Sequence, residues 1–171
     1  MRKHLIGTLV TSGTSATLAL ILIGAISACD GTPRGVVVNP SPADTCVNAS
    51  APHRAYVVVQ HLSGTSVQKC VGFTADAIDG QTLMDQSKIQ FETQTFSFGK
   101  AACQIDNEPV QFTKCVGANQ PYWSLWVQTA AKWTSAQTGY TDVKLHHKEA
   151  LGWHFVQSTD PSPAPPPLAK P

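Results

Sequence analysis

The chain has 171 residues, of which 42% are hydrophobic and only 13% are charged, about half the charged share of an ordinary soluble domain. Twelve Lys and Arg against eleven Asp and Glu give a formal net charge of +1, which argues against the basic footprint of a nucleic-acid-binding protein. Low charge with this apolar content also argues against a wholly disordered chain. The length allows one ordinary domain, or a smaller domain with processing segments.

Residues 1–28 have the three-part layout of a secretory signal peptide. Arg2 and Lys3 give a basic start, and small residues lead to Cys29 at the end. The most apolar stretch, Leu18–Ile26, is short for a membrane span, which needs about 20 residues. The chain is therefore predicted to be exported.

The end of this segment, Ile26-Ser27-Ala28-Cys29, resembles a bacterial lipobox. The resemblance implies cleavage before Cys29 and acylation of that cysteine, with palmitate as a typical lipid, at the extracytoplasmic face of the cell membrane. The alternatives are an ordinary signal peptide cleaved after Ala28 and an uncleaved anchor. Cleavage before Cys29 removes two basic residues and leaves 143 residues, 10 of them basic and 11 acidic, so the net charge becomes −1.

Two further segments are predicted to be linkers. Residues 29–45 are rich in Gly, Pro and Asp without sustained periodicity, which fits a flexible tether behind a lipidated cysteine. Thr159–Pro171 is dominated by proline, which favours extended polyproline conformation and prevents helix or central-strand pairing. This tail is predicted to be a spacer or a wall-contact segment. The folded unit is then Cys46–Ser158, whose 113 residues suffice for one modest core.

Four cysteines remain when Cys29 is assigned to lipid: Cys46, Cys70, Cys103 and Cys115. An even number in an exported domain favours two disulfides. Three connectivities are open, and we favour the pairs that are nearest in sequence, 46 with 70 and 103 with 115. Zinc sites need closely spaced pairs such as C-x₂-C, and the sequence has none, so no metal is predicted at these thiols.

Hydrophobic patterning predicts several strands and one short helix. Strands are predicted at Arg54–His61, Val67–Phe73, Thr95–Phe98, Ala101–Ile105, Tyr122–Gln128 and Gly152–Gln157, while Lys132–Ser135 is ambiguous. The helix is predicted from Leu83 to Gln90, because Thr82 and Asp85 approximate a capping box. One helix among several strands predicts an α+β domain dominated by antiparallel or mixed sheet.

The order of four features within the folded unit resembles the transcobalamin-type C-terminal domain of exported bacterial proteins. These features are the turn at Gly80 and Thr82, the pair Cys103 and Cys115, the aromatic strand with Tyr122, Trp123 and Trp126, and the closing strand with Gly152, Trp153 and Phe155. The match covers roughly Tyr56–Val156. It implies a small β-grasp-like domain that binds small ligands or partners outside the cell. In the animal carriers of this family, the domain closes over cobalamin.

The aromatic residues near the end of the folded unit are candidates for a ligand-binding face. The candidates are Tyr122, Trp126, Trp133 and Trp153, because aromatic rings stack on planar ligands and keep a polar edge. The alternative is that the tryptophans fill the core. This is the favoured interpretation for Trp123 and Trp153, and both interpretations stay open for Trp126 and Trp133. On a regular strand Trp123 and Trp126 point to opposite faces, so we expect at most one of them to face a ligand.

Metal binding and catalysis find little support in the sequence. His146, His147, Glu149 and His154 could hold a metal or supply an imidazole to a corrinoid, but without H-E-x-x-H or comparable spacing a solvated polar loop is predicted. The sequence has no Gly-x-Ser-x-Gly elbow, Walker loop or Cys–His signature. We therefore predict no metal, no cofactor and no enzymatic activity.

Two functions from different classes fit these expectations. The first is a lipid-anchored binding module at the cell surface for a small ligand, with a corrinoid or similar vitamin as the family's lead, which it could deliver to a membrane transporter. The second is a structural or adhesive surface module that binds a protein or cell-wall partner and has no small-molecule ligand. Neither function involves nucleic acid.

Overall fold

The computed structural model describes residues 46–97 and 99–171. The predicted signal peptide, Cys29 and the predicted linker up to residue 45 lie outside the described residues. The strands are β1 (His53–Gln60), β2 (Ser66–Phe73), β3 (Ile78–Asp79), β4 (Phe91–Phe96), β5 (Gly99–Ile105), β6 (Tyr122–Thr129), β7 (Lys132–Ser135), β8 (Lys144–Leu145) and β9 (Ala150–Val156), and the helix is α1 (Gly80–Ser87). Over these residues, none of the helices has the length and apolar character that a membrane crossing requires.

The main sheet has five strands in the order β2-β1-β9-β6-β7. Its central pair, β1 and β9, is parallel and sets Val59 opposite Trp153, whereas the other neighbours are antiparallel. The strands β3 and β8 form one small sheet, and β4 and β5 form a hairpin. A small α+β domain that consists mostly of sheet is therefore confirmed.

The core lies on one face of this sheet, which we call the inner face. Alternate residues of β9, namely Leu151, Trp153 and Phe155, belong to one buried cluster with Leu83 of α1 and Ile105 of β5. Strand β1 is buried on both faces. Its residues Ala55, Val57 and Val59 belong to the inner-face cluster, whereas Tyr56 and Val58 belong to a second cluster on the opposite, outer face. Burial on both faces explains why β1 reads as a continuous apolar run rather than as an alternating one.

The predicted helix Leu83–Gln90 is wrong at both ends. The N-cap is Asp79, whose carboxylate accepts hydrogen bonds from the Thr82 amide at 2.8 Å and from the Thr82 hydroxyl at 2.9 Å. The helix ends at Ser87, because Lys88 adopts a left-handed conformation with φ of 61°. The strand predicted at 95–98 begins four residues earlier, at Phe91, and its last predicted residue lies outside the described residues.

The glycine that opens α1 is required by a close approach of two chain segments. A Cβ at Gly80 would clash with the carbonyl oxygen of Tyr140, and the Gly80 amide donates to the carbonyl of Val143 at 3.0 Å. The Gly-x-Thr turn therefore combines two functions, since Gly80 admits the neighbouring backbone and Thr82 binds the N-cap carboxylate.

Both predicted disulfides are confirmed. Cys46 pairs with Cys70, which ties the segment before β1 to strand β2, and Cys103 pairs with Cys115, which closes a loop after β5. Disulfides form and persist in oxidising compartments outside the cytoplasm. The two bonds therefore indicate an extracytoplasmic setting for this domain.

The proline-rich tail does not extend away from the domain as a spacer. A turn in which the Asp160 amide donates to the Gln157 carbonyl reverses the chain after β9, and the tail then lies on the outer face of the main sheet. Pro166 and Ala169 are buried there. The outer face of β1 is apolar, and the tail removes it from water. The composition of the tail alone does not reveal this contact.

Candidate functional site

Two adjoining cavities form a cleft between the β4–β5 hairpin, the loop closed by Cys103 and Cys115, and strand β6. The smaller cavity, which we call the inner cavity, has a volume of about 440 Å³. The larger cavity, which we call the outer cavity, has a volume of about 1030 Å³. Tyr122 and Trp123 line both of them. We call the pair of cavities the aromatic cleft.

The register of β6 against β9 builds the aromatic wall of the cleft. Trp123 lies opposite Phe155, and Leu125 lies opposite Trp153, so all four side chains share the inner face. The rings of Trp123 and Phe155 have centroids 4.8 Å apart, and Tyr140 packs on Trp153 at 5.7 Å. These contacts give the cleft a rigid aromatic wall.

Two indole groups in this wall are buried without a hydrogen-bond partner. Trp123 is 8% exposed and Trp153 is 3% exposed, and neither indole N–H finds an acceptor in the part of the chain that the structure describes. A buried donor without an acceptor costs about 1–3 kcal/mol. Because neither nitrogen has exposed surface, these two residues present their ring surfaces, rather than their N–H groups, to the cleft.

The position of the Tyr140 ring is fixed by its hydroxyl group. The hydroxyl donates to Oε1 of Gln81 at 2.8 Å, and the Lys100 ammonium donates to the same oxygen at 3.1 Å. Burial raises the pKa of the Tyr140 phenol, and the negative charge of Asp85 raises it further. The phenol therefore stays neutral at physiological pH and serves as a fixed wall.

The outer cavity is lined by amide side chains and bordered by exposed apolar ones. Nε2 of Gln104 donates to the Pro109 carbonyl at 2.6 Å, which fixes the start of the loop. Along the same loop Val110 is 73% exposed and Phe112 is 36% exposed. Tyr122, at the mouth of the cleft, is 40% exposed. The mouth thus combines hydrogen-bonding groups with apolar surface.

A histidine flanked by two carboxylates anchors the base of this loop to β1. Nδ1 of His61 lies 2.7 Å from a Glu108 carboxylate oxygen, and Nε2 lies 3.0 Å from a carboxylate oxygen of Asp106. The same Glu108 oxygen accepts from the Leu62 amide at 3.2 Å. The His61 ring also packs edge-on against Trp123 at 6.4 Å. The sequence gives no local signal for this cluster, because the two carboxylates lie 45 and 47 residues from His61.

The four predicted ligand-binding residues do not form one site. Tyr122 and Trp153 line the inner cavity, together with Trp123. Trp126 lies on the outer face, where its Nε1 donates to the Ser124 hydroxyl at 3.0 Å. Trp133 packs with the outer-face cluster, and its buried indole N–H also has no acceptor among the residues described.

The histidine-rich segment before β9 makes separate contacts. Nδ1 of His146 lies 3.0 Å from the Asp76 carbonyl oxygen, and Nδ1 of His147 accepts from the Arg54 amide at 3.1 Å. Glu149 accepts from the His146 amide at 2.8 Å, while the ring of His154 contacts the tail. Across residues 46–97 and 99–171, no three His, Cys, Asp or Glu side chains are grouped so that they could hold a metal ion.

Comparison with known proteins gives a distant structural likeness. No family model matches the chain, and no curated protein matches it. Among solved structures, the chain is similar to "a putative metal binding protein from Ruminococcus gnavus", at 12% sequence identity and a TM-score of 0.46. The similarity covers 61% of this chain and 97% of that one. The candidate site therefore rests on its own geometry.

Proposed function

We propose that this chain is an extracytoplasmic binding module that holds a small, neutral, partly planar ligand in the aromatic cleft. The observation that carries the proposal is the aromatic wall of Tyr122, Trp123 and Trp153, which lines a mostly apolar cavity. Concave, mostly apolar sites with a few polar groups are the usual form of small-molecule sites. The ring faces would bind a flat apolar surface, and amide side chains that line the outer cavity, such as Gln111 and Gln120, would bind polar atoms.

The charges around the cleft favour an uncharged ligand. Among the residues described, the charged side chain that lines the inner cavity is Lys100, which is exposed to solvent and donates to Gln81. The outer cavity adds Glu92 and Lys114, whose charges offset each other. A ligand with carbonyl, amide or hydroxyl acceptors and no net charge would fit both cavities without leaving an unpaired buried charge.

The resemblance to the transcobalamin-type domain makes a corrinoid the leading ligand. Two features support a β-grasp-like domain. The strands that come first and last along the chain, β1 and β9, are parallel neighbours within the main sheet, and α1 follows the hairpin of β1 and β2. Acylation of Cys29 would tether this domain to the cell membrane through residues 30–45. From there it could pass the ligand to a membrane transporter.

Mass spectrometry of the natively purified protein under non-denaturing conditions tests for a retained ligand. Calorimetric titration with cyanocobalamin and with haem then tests the two planar probes on the full chain. We expect Tyr122→Ala to weaken binding of the active probe about tenfold, because it removes one exposed ring from the mouth. The matched control is Leu62→Ala, since Leu62 is 45% exposed in the turn between β1 and β2. Absence of a retained ligand together with no heat from either probe would contradict the proposal.

Exposed apolar side chains on the disulfide-closed loop favour a second candidate, an adhesive module. Val110 is 73% exposed and Val116 is 52% exposed, which suits contact with a protein or cell-wall partner. If the loop is the adhesive surface, Val110→Ser combined with Val116→Ser would abolish attachment of the protein to isolated cell walls. The cyanocobalamin titration would show no binding in that case.

A further inference from the structure

The outer face of the main sheet holds the C-terminal tail in a groove, and we propose that this groove is a recognition site for extended proline-rich segments. The groove is formed by Gln68, Gln128, Trp133, Gly152 and His154, and we call it the tail groove. In this structure residues 163–170 of the same chain occupy it. The inferred partner is a proline-rich segment of another exported protein, with which the tail competes.

The tail groove holds the backbone of its occupant through two glutamine side chains. Nε2 of Gln68 donates to the Lys170 carbonyl at 2.7 Å, and Oε1 of Gln68 accepts from the Lys170 amide at 2.9 Å. Oε1 of Gln128 accepts from the Ala169 amide at 2.8 Å. Bonds to backbone atoms fix an extended segment in place, and the side chains that face the sheet then determine which sequences fit.

The periodicity of the tail shows which conformation the groove selects. Pro163 is partly buried and Pro166 and Ala169 are buried, whereas the residues between them are exposed. This spacing matches polyproline II, which has about three residues per turn. One edge of such a helix faces the sheet, so the groove reads every third residue.

A glycine and a tryptophan create the space for the central proline. A Cβ added at Gly152 would lie 2.7 Å from the Trp133 ring and 2.8 Å from Cγ of Pro166. The Trp133 ring and the Pro166 ring therefore both pack on the backbone of β9 at Gly152. Packing of proline-rich segments against aromatic side chains is a common mode of peptide recognition.

The last contact position selects a small residue. Ala169 is 7% exposed and belongs to the outer-face cluster with Tyr56, Val58, Cys70 and Ala150. Its neighbour Leu168 is 47% exposed and does not belong to this cluster. The expected recognition pattern is therefore proline, two free positions, proline, two free positions and a small residue.

A short connection favours the chain's own tail over a partner. The turn after β9 is closed by the Asp160 amide and by a bond of 3.0 Å from the Ser162 amide to the Asp160 carboxylate. A ligand tethered in this way has a high effective concentration, so a partner in solution must compete with it. The tail would thus keep the groove covered until a proline-rich segment at high local concentration replaces it.

A labelled synthetic peptide with the sequence of residues 162–171 serves as the probe for the groove. Ala169→Asp in the full chain should release the tail, because it places a charge among apolar side chains, and it should bind the peptide at least about tenfold more tightly than the unaltered chain. The sequence of the folded unit, residues 46–158, is unchanged in this variant. Leu168→Asp is the matched control and should behave like the unaltered chain. Adding Gln68→Ala to Ala169→Asp should weaken peptide binding again.

A second measurement on the unaltered chain makes the test independent of the variants. Amide hydrogen exchange at Ala169 and Lys170 should be slower than in an unstructured peptide, because both amides are hydrogen bonded. Unprotected exchange at both amides would overturn the proposal, as would a folded Ala169→Asp protein that binds no peptide. A peptide-independent dimer formed by exchange of tails would overturn the assignment of a separate partner. None of these outcomes bears on the aromatic cleft, which lies on the other face.

Discussion

The His61 ring and the Glu108 carboxylate lie 2.7 Å apart, and this contact joins the end of β1 to the disulfide-closed loop beside the aromatic cleft. His61 also packs against Trp123, a wall residue of the cleft. The pair therefore connects the stability of the loop with the shape of the candidate site.

Replacing Glu108 with Ala should lower the free energy of unfolding by about 1 kcal/mol. It removes the contact with Nδ1 of His61 and the acceptor of the Leu62 amide, and partial exposure of the pair limits the loss. Urea unfolding followed by circular dichroism measures this change. Glu92→Ala is the control, because Glu92 is an exposed carboxylate on neighbouring β4. Equal midpoints for the two variants would show that the contact does not stabilise the fold.

The N-cap of α1 gives a pH-dependent prediction. The backbone hydrogen bond from Thr82 is the main reason that the pKa of Asp79 lies below its usual value of 3.8. Between the folded and unfolded pKa values the unfolded chain binds more protons, so stability rises with pH. The contribution of Asp79 is therefore fully present above the unfolded value and is lost as pH falls through the folded one.

Asp79→Ala should destabilise the protein by about 1 kcal/mol at pH 7, and the difference should shrink as the pH falls below 3.8. Thermal unfolding midpoints across that range provide the measurement. Asp79→Asn is the matched control, because asparagine caps helices well but carries no titrating group. It should keep most of the stability at pH 7 and remove this part of the pH dependence. A constant difference between Asp79→Ala and the unaltered chain at all pH values would contradict the assignment.

Close approach of the backbone at Gly80 predicts a severe effect of a single methyl group. Gly80→Ala would push the new Cβ into the Tyr140 carbonyl oxygen, so we expect a loss of about 1–3 kcal/mol or more. Gly139→Ala is the control. Gly139 has an ordinary φ of −61°, and the nearest atom to its added Cβ is 3.9 Å away. Similar denaturation midpoints for both variants would show that the chain yields readily at Gly80.

Local sequence patterns sufficed to predict several elements of this fold. The apolar run of β1, the aromatic alternation of β9 and the pairing of cysteines close in sequence all depend on neighbouring residues. The helix boundaries were not predictable in the same way. The N-cap that starts α1 is Asp79, three residues before the predicted cap at Thr82, and the end of the helix depends on an unusual left-handed Lys88.

The candidate site shows the same division between local and distant information. Tyr122 and Trp153 were predicted to contact a ligand from their residue types, and both line the cleft. The His61 cluster was missed because its partners lie 45 and 47 residues away. The docking of the tail was missed because Gln68 and Lys170 are 102 residues apart. Composition describes what a segment cannot form, but it does not reveal the surface on which the segment packs.

The disulfide between Cys103 and Cys115 links stability to the candidate site. Cys115 lines both cavities of the cleft, so loss of the bond would release part of its wall. The double variant Cys103→Ser, Cys115→Ser should lose about 3 kcal/mol of stability, the value expected for a loop of this length. It should also lose binding of whichever planar probe the unaltered chain binds, as measured by calorimetry at a temperature where the variant remains folded.

Cys46→Ser with Cys70→Ser is the matched control, because that bond lies on the outer face, and it should lose stability while keeping probe binding. Equal loss of binding in the two variants would show that the disulfides stabilise the whole domain without shaping the cleft.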